Sequence, residues 1–500
     1  MAFKLQRIEL WLVLERGILN TEAICVAAEA AGPADVKSRS AHITETTAFR
    51  DEYTHPHGAE IPAPRAWSGR LRHLGPGLIV SASIVGSGEI ILTASLGAAV
   101  GFGMLWWVLM SCWSKSIVQA ELTRYIVVSG DTYIRALNRI PGRLPGPKGP
   151  VAWPVVVGLL AFIPGLTGLG GLMGGAALAI VLVFPELSSL QVVAGLALLI
   201  ALLLSTGRYR RLEQVLIPMV FIFTLTTLIC LGLMQSTERA VTASDLLSGL
   251  QFDFDPTFAV LALAVYGYTG VNSAEISAYT YWCVEKGYPA RVGPISASSD
   301  YVARAQGWLK VLQLDVGLTL LLITMATLPF YCLGAGILHP LGQVPSGTET
   351  ISVLSQMFTE TIGPGAFWLF ALGAFCILFS SSVSGVAAGA RYIPDYLMEL
   401  GFLDRERIDI RKKIIRVYGL LVPFVGFIFY LGFQQPVLMV TIAACFGAMM
   451  LPLQCGMAIY LGEKTLPSPL KPGVLAKWFL RVTFLFQVVM AGMVLYFVVF

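Results

Sequence analysis

Ionisable side chains are scarce: Asp, Glu, Lys and Arg make up 13% of the 500 residues, while 56% are hydrophobic. A soluble domain of this length could not keep that balance in water, so lipid is the expected solvent and enzymatic chemistry is not the expected activity. Histidine is scarcer still. The chain has five, and none lies inside an apolar run, which excludes a histidine proton relay through the membrane and leaves only carboxylates to titrate there. The eight cysteines have no metal-like spacing, and seven of them, from Cys112 to Cys455, fall in or beside apolar runs, where they read as small core residues. A basic face is also missing. The net charge is +4, but Lys and Arg lie between apolar runs, so nucleic acid is not expected as a partner.

What the chain does have is long apolar runs. A hydrocarbon core about 30 Å thick needs roughly 20 apolar residues per helix. Such runs place eleven spans at about 76–96, 105–128, 155–184, 190–204, 212–234, 258–283, 309–335, 367–388, 414–431, 437–461 and 478–500. Residues 1–74 read as a polar, loose cytoplasmic tail, and 75–500 as the transmembrane domain, with helices 1–5 in about 75–234, helices 6–10 in about 256–461 and helix 11 in about 478–500. The short apolar piece at Leu10 to Leu14 is too short to span, and no small-residue cleavage site closely follows it, so no signal peptide is expected.

Loop charge sets the expected orientation. With the amino terminus cytoplasmic, the inner loops hold Arg135, Arg139, Arg143, Lys148, Arg208, Arg210, Arg211, Lys286, Arg291, Arg304 and the cluster Arg405 to Arg416, whereas the outer loops hold only Arg239. The carboxyl terminus is then outside, and the cell membrane is the expected location. In this order span 1 runs outward and span 6 inward, which is the arithmetic of a 5+5 inverted repeat.

Those same two spans carry the oddest intramembrane residues. Span 1 holds Gly86, Ser87, Gly88 and Glu89 near its middle, and span 6 holds Gly267, Gly270, Asn272, Ser273 and Glu275. Each glycine weakens a helix by about 1 kcal/mol relative to Ala. A mid-membrane carboxylate adds roughly 3 kcal/mol on insertion scales. The pattern predicts broken helices 1 and 6 offering backbone carbonyls and carboxylates to a cation, because intramembrane carboxylates are functional by default. A packing notch with a satisfied glutamate is the plainer alternative. Ser380, Ser381, Ser382 and Ser384, followed by Gly385 in span 8, fit either close helix packing or an ion-lining wall of which Ser381 and Ser384 would be part. Glu121 and Arg124 have the i,i+3 spacing of a local ion pair, and Asp315 is placed to reach the interface or a loop cation.

At these motifs the chain resembles the Nramp (natural resistance-associated macrophage protein) metal-ion transporters, from about Gly75 to the carboxyl terminus. The family's G-P-G, eight residues and D-P-G-N is similar to Gly75-Pro76-Gly77, eight residues and Gly86-Ser87-Gly88-Glu89. Its Gln, Arg and V-V-T-G of span 2 resemble Gln119, Arg124 and Val127-Val128-Ser129-Gly130, and its S-S-T-x-T-G of span 8 resembles Ser380 to Gly385. The family's metal-binding Asp falls on Gly86 and its Asn on Glu89; its M-P-H falls near Val271, Asn272 and Ser273, and its span 10 Gln near Ala444. The resemblance implies an all-α polytopic protein of the leucine-transporter fold. It also implies a secondary-type transporter of divalent cations of the manganese, magnesium or iron class, alternating access at a midplane site, with no resident cofactor. Candidate substrate-binding residues are Glu89, Glu275, Gly86, Asn272, Gly270 and Ser273. An amino-acid or organic-cation transporter is the alternative, since G-S-G in a first helix also resembles the amino-acid/polyamine/organocation superfamily; Glu89 beside those amides would repel a substrate carboxylate.

Overall fold

The computed structural model describes residues 60–84, 86, 88–205 and 209–499. Ser87, Arg208 and residues 1–59 of the expected tail, including the piece at Leu10 to Leu14, lie outside the described residues. Residues 60–74 do not run free of the helices: the Ile61 amide donates to Arg291 O (3.0 Å), Trp308 Nε1 donates to Ile61 O (2.8 Å), and Trp67–Leu71 forms a short helix.

The chain is helical almost throughout. The principal helices are α1 (Pro76–Ile84), α2 (Gly88–Val100), α3 (Leu105–Ser129), α4 (Trp153–Val183), α5 (Ser189–Ser205), α6 (Tyr209–Met234), α7 (Ala259–Tyr268), α8 (Ser273–Glu285), α9 (Ser299–Leu333, continued as a π-turn to Leu338), α10 (Thr350–Ile362), α11 (Ala366–Glu399), α12 (Ile408–Phe433), α13 (Pro436–Lys464) and α14 (Val474–Val499). The one sheet among the described residues is a two-residue antiparallel pair, Arg143–Leu144 against Val151–Ala152. Six of the described helices (α4, α9, α11, α12, α13 and α14) are long and apolar enough to cross a membrane, and α2, α5 and residues 220–234 of α6 are shorter apolar helices.

Helix α4 forms the centre, packed along α13, α11 and α12, while α5 lies on α12 and α3 on α9. Its Gly171 shows why small residues crowd that helix: a Cβ there would lie 2.9 Å from Pro436 O. The outer faces of α6, α12 and α14 expose Phe221, Leu421, Ile428, Leu475, Trp478 and Leu485. Apolar surface on that scale needs lipid or protein against it.

Regular helix ends twice near these candidate residues. Between α1 and α2 the chain leaves the helix around Gly86, and α2 opens with a π-turn over Gly88–Thr93, in which Thr93 Oγ1 donates to Gly88 O (2.8 Å). Between α7 and α8, Thr269 is extended and Gly270 has φ +72°, a left-handed conformation that glycine adopts without strain.

Asp315 is not at the interface. It is fully buried on α9, where its carboxylate accepts from the amides of Gly75 (3.2 Å) and Gly77 (2.7 Å) and from Tyr279 Oη (2.7 Å), tying α1 and α8 to α9. Backbone amides at a helix start have no intrahelical acceptor, and a buried carboxylate is a strong one; the loop cation Lys286, just after α8, is also within electrostatic reach of it. Glu121 does pair with Arg124, Nε to Oε2 at 2.6 Å.

Candidate functional site

The two interruptions lie against each other. A Cβ at Gly88 would come within 2.8 Å of Tyr268 O, so this glycine is what lets the backbones touch. Thr269 Oγ1 donates to Thr93 Oγ1 across the contact at 2.7 Å and lies 3.2 Å from Gly88 O.

Glu89 sits at this junction with no exposed surface. Its Oε2 accepts the Gly86 amide (3.1 Å), its Oε1 accepts the Gly270 amide (3.1 Å), and Thr327 Oγ1 of α9 lies 3.5 Å from Oε1. One carboxylate therefore satisfies a freed donor at each interruption, where a buried amide without an acceptor would be costly.

The carbonyls freed at the C-terminal end of α7 have a different partner. Lys115 of α3, fully buried, donates from Nζ to Tyr266 O (2.6 Å) and to Thr269 O. Ser111 Oγ, one turn earlier, reaches Thr269 O at 2.9 Å. The ammonium thus caps the negative end of the α7 dipole, and lies close enough to Glu89 and Glu275 for their charges to interact.

Glu275 occupies the opposite side of the junction. It is the third residue of α8 and forms a capping box with Asn272: Asn272 Oδ1 accepts the Glu275 amide (3.0 Å) and Glu275 Oε2 accepts the Asn272 amide (3.1 Å). Unlike Glu89 it is only half-buried, and it lines a cavity of about 220 Å³. Asn272, Ser273, Ser381, Ser384 and Gly385 line the same cavity, together with Phe162, Tyr268, Trp282, Tyr392, Tyr418, Phe446 and Met450. Among the described residues, Glu275 is the only charged side chain in that wall.

The candidate residues thus divide into two groups. Glu89, Gly86 and Gly270 form a buried junction with no place in the cavity wall, whereas Glu275, Asn272, Ser273, Ser381 and Ser384 face or border the cavity. Ser273 is further held through its carbonyl, which accepts Gln454 Nε2 of α13 at 2.8 Å. Lys115 is the buried charge at this junction that sequence reasoning missed, although a cation between Ser114 and Ser116 in an apolar run is a signal for it. Met325 is exposed on the outer face of α9, while Met450 lines the cavity. Val271, near the family's methionine position, is fully buried. Among the described residues, no three His, Cys, Asp or Glu side chains come together as a metal-ligand cluster.

The family model described as natural resistance-associated macrophage protein-like matches residues 77–498. The chain belongs to the Nramp family. Among its relatives is the divalent metal cation transporter MntH of Acidiphilium cryptum, 24% identical over 324 residues that cover 65% of this chain and 69% of that protein. A crystal structure of a mutant of the Eremococcus coleocola manganese transporter superposes with a TM-score of 0.63 at 15% identity, covering 87% of this chain and 88% of that one. MHP1, a nucleobase-cation-symport-1 family transporter, superposes with a TM-score of 0.53 at 14% identity, over 89% and 93% of the two chains. The shared fold is the leucine-transporter fold, an integral membrane architecture, and the first two of these relatives of the Nramp chain are named as transporters, not enzymes.

Proposed function

We propose that this Nramp protein is a secondary-type transporter of hard or borderline divalent cations, of the manganese, magnesium or iron class, working by alternating access between α1/α2 and α7/α8. The observation that carries the proposal is the junction at Glu89, where one carboxylate accepts amides from both interruptions at 3.1 Å. Two broken helices stapled to each other are the arrangement in which a substrate site and a hinge coincide. The relatives' divalent cations supply the substrate class.

In this reading α1 with α2, and α7 with α8, are spans 1 and 6 of eleven, related as members of two inverted five-helix repeats. Loop charge puts the amino terminus in the cytoplasm. The cavity is lined by residues of α8, α11 and α12, and Arg391 of α11 and Arg411 of α12 lie toward the ends that the loop-charge rule puts in the cytoplasm, so in this reading it is the inward-facing cavity. Helix α2 packs on the π-turn Gly334–Leu338 and His339 Nδ1 donates to Ala98 O at 2.9 Å, contacts that this reading takes as the closed outer side.

Lys115 is within electrostatic reach of both Glu89 and Glu275, and of the two carboxylates only Glu275 lines the cavity. A cation arriving from the cavity meets Glu275, the Asn272 side chain and the hydroxyls of Ser273, Ser381 and Ser384. These are hard oxygen donors, and they are few, which favours a cation that keeps part of its water shell.

A second reading has its own support. The cavity is walled by Phe162, Trp282, Tyr418 and Phe446 beside the single carboxylate of Glu275, and aromatic faces attract organic cations by about 0.5–2 kcal/mol each. Uptake into proteoliposomes separates the two. Saturable entry of manganese or magnesium, without entry of small amines, supports the divalent-cation reading; entry of amines without metals would replace it.

Proton coupling is expected to be weak or absent, since α4 carries no ionisable residue between Trp153 and Val183. Membrane potential suffices as a drive, because a divalent cation gains about 4.6 kcal/mol per 100 mV. Running the uptake with and without a pH gradient tests this, and metal-dependent acidification of the lumen that disappears in Glu275→Gln would contradict it.

A further inference from the structure

A lysine with no exposed surface is unusual unless its charge is matched, and Lys115 is matched by backbone on one side and carboxylates on the other. Its Nζ donates to Tyr266 O at 2.6 Å and to Thr269 O, both at the C-terminal end of α7, where a helix leaves carbonyls without intrahelical donors. Ser111 Oγ completes a polar cradle against Thr269 O at 2.9 Å, and Tyr266 lies under the ammonium with its ring centroid 5.2 Å from Nζ. Glu89 and Glu275 are within electrostatic reach. Oxygen dipoles at a half-helix C-terminus, a hydroxyl and a nearby carboxylate are the donor set that unwound transporter helices offer to a mobile cation. Here the position is taken by a side chain.

We propose that the Lys115 ammonium is a resident cation, filling a carbonyl cradle at the end of α7 that would otherwise bind a monovalent cation, so that the junction of the two interrupted helices stands without a bound alkali ion. Lys115 is then a positioning residue. It holds α7 against α3 and supplies the buried positive charge within reach of both Glu89 and Glu275, of which only Glu275 lines the cavity. Truncating the side chain exposes two carbonyls and the Ser111 hydroxyl as an empty site for sodium, potassium or a small primary ammonium.

The inference rests on the transport reading only for uptake; the cradle itself is tested by stability, which needs no substrate. The full-length protein, Lys115→Ala and Lys115→Met are compared by thermal unfolding in sodium, potassium, ethylammonium and choline chlorides at equal ionic strength. The parent's unfolding temperature is expected to be the same in all four. Lys115→Ala is expected to unfold earlier in choline and to be restored by at least one small cation, saturably, whereas Lys115→Met, whose side chain still fills the space, is destabilised in every salt. Uptake by Lys115→Ala should fall by more than about tenfold in choline and recover with the same cation that restores stability. Dependence of the parent on an alkali ion, or indifference of Lys115→Ala to all four salts, would overturn the proposal. If neither single variant can be purified in any of the salts, the parent decides: unfolding at one temperature in all four salts supports a resident cation, and dependence on an alkali ion overturns it. Cation-restored stability without divalent uptake would leave the cradle standing and remove the transport reading instead.

Discussion

Glu89 Oε1 accepts the backbone amide of Gly270 at 3.1 Å across 181 positions of sequence. That bond makes the two helix interruptions one structural unit. Because Oε2 of the same carboxylate holds the Gly86 amide at 3.1 Å, any change at Glu89 acts on both interruptions at once.

Glu89→Gln keeps the shape but turns one acceptor into a donor, which then faces the amide of Gly86 or of Gly270. An unsatisfied buried donor costs about 1–3 kcal/mol, and Lys115 loses one of the two carboxylates within its reach. The variant is expected to fold with a lowered unfolding temperature and to lose uptake by more than about tenfold. Uptake at the parent rate would show that the junction is not part of the transport cycle.

Asp315→Asn removes one of the acceptors serving Gly75, Gly77 and Tyr279, bonds that anchor the start of α1. A stability loss of about 1–3 kcal/mol is expected. Asp315 does not line the cavity, so the half-saturating cation concentration should stay where it is; a rise of more than about tenfold would place Asp315 in the substrate site.

Glu121 is 3% exposed and paired with Arg124 through Nε at 2.6 Å and Nη2 at 3.1 Å. Glu121→Gln should lower stability by about 1–3 kcal/mol while uptake per folded molecule is retained. Thermal unfolding set beside uptake normalised to folded protein separates the two, and a transport defect without a stability defect would contradict the structural role.

Manganese or magnesium is expected to bind at least as tightly as cadmium, because oxygen donors dominate the polar part of the cavity wall. Met450 carries the one sulfur in that wall among the described residues. Met450→Leu should leave manganese uptake unchanged. Cadmium competing far more tightly than manganese, and losing that advantage in Met450→Leu, would show that the thioether is a ligand.

The two interruptions are legible in the sequence because glycines and carboxylates inside apolar runs are costly in a membrane, so Gly86, Glu89, Gly270, Asn272 and Glu275 stand out against their neighbours. The family is legible for a related reason: its motifs lie at those same costly positions, from Gly75 to Gly385. Even so, sequence places Glu89 and Glu275 in one class. Tertiary packing separates them, burying Glu89 between two backbone amides and turning Glu275 to a cavity.

What the sequence determined alone is whatever depends on local composition: lipid as solvent, helix as the repeating element, and the places where helix is weakest. What only the tertiary structure decided is which orphaned backbone group each buried charge answers. Amides and carbonyls carry no residue identity, so nothing in the string of letters links Asp315 to Gly77, Glu89 to Gly270 or Lys115 to the carbonyl of Tyr266. Those partners are chosen by the folded chain, because a charge taken out of water must find its counterpart among whatever groups packing brings within hydrogen-bonding distance.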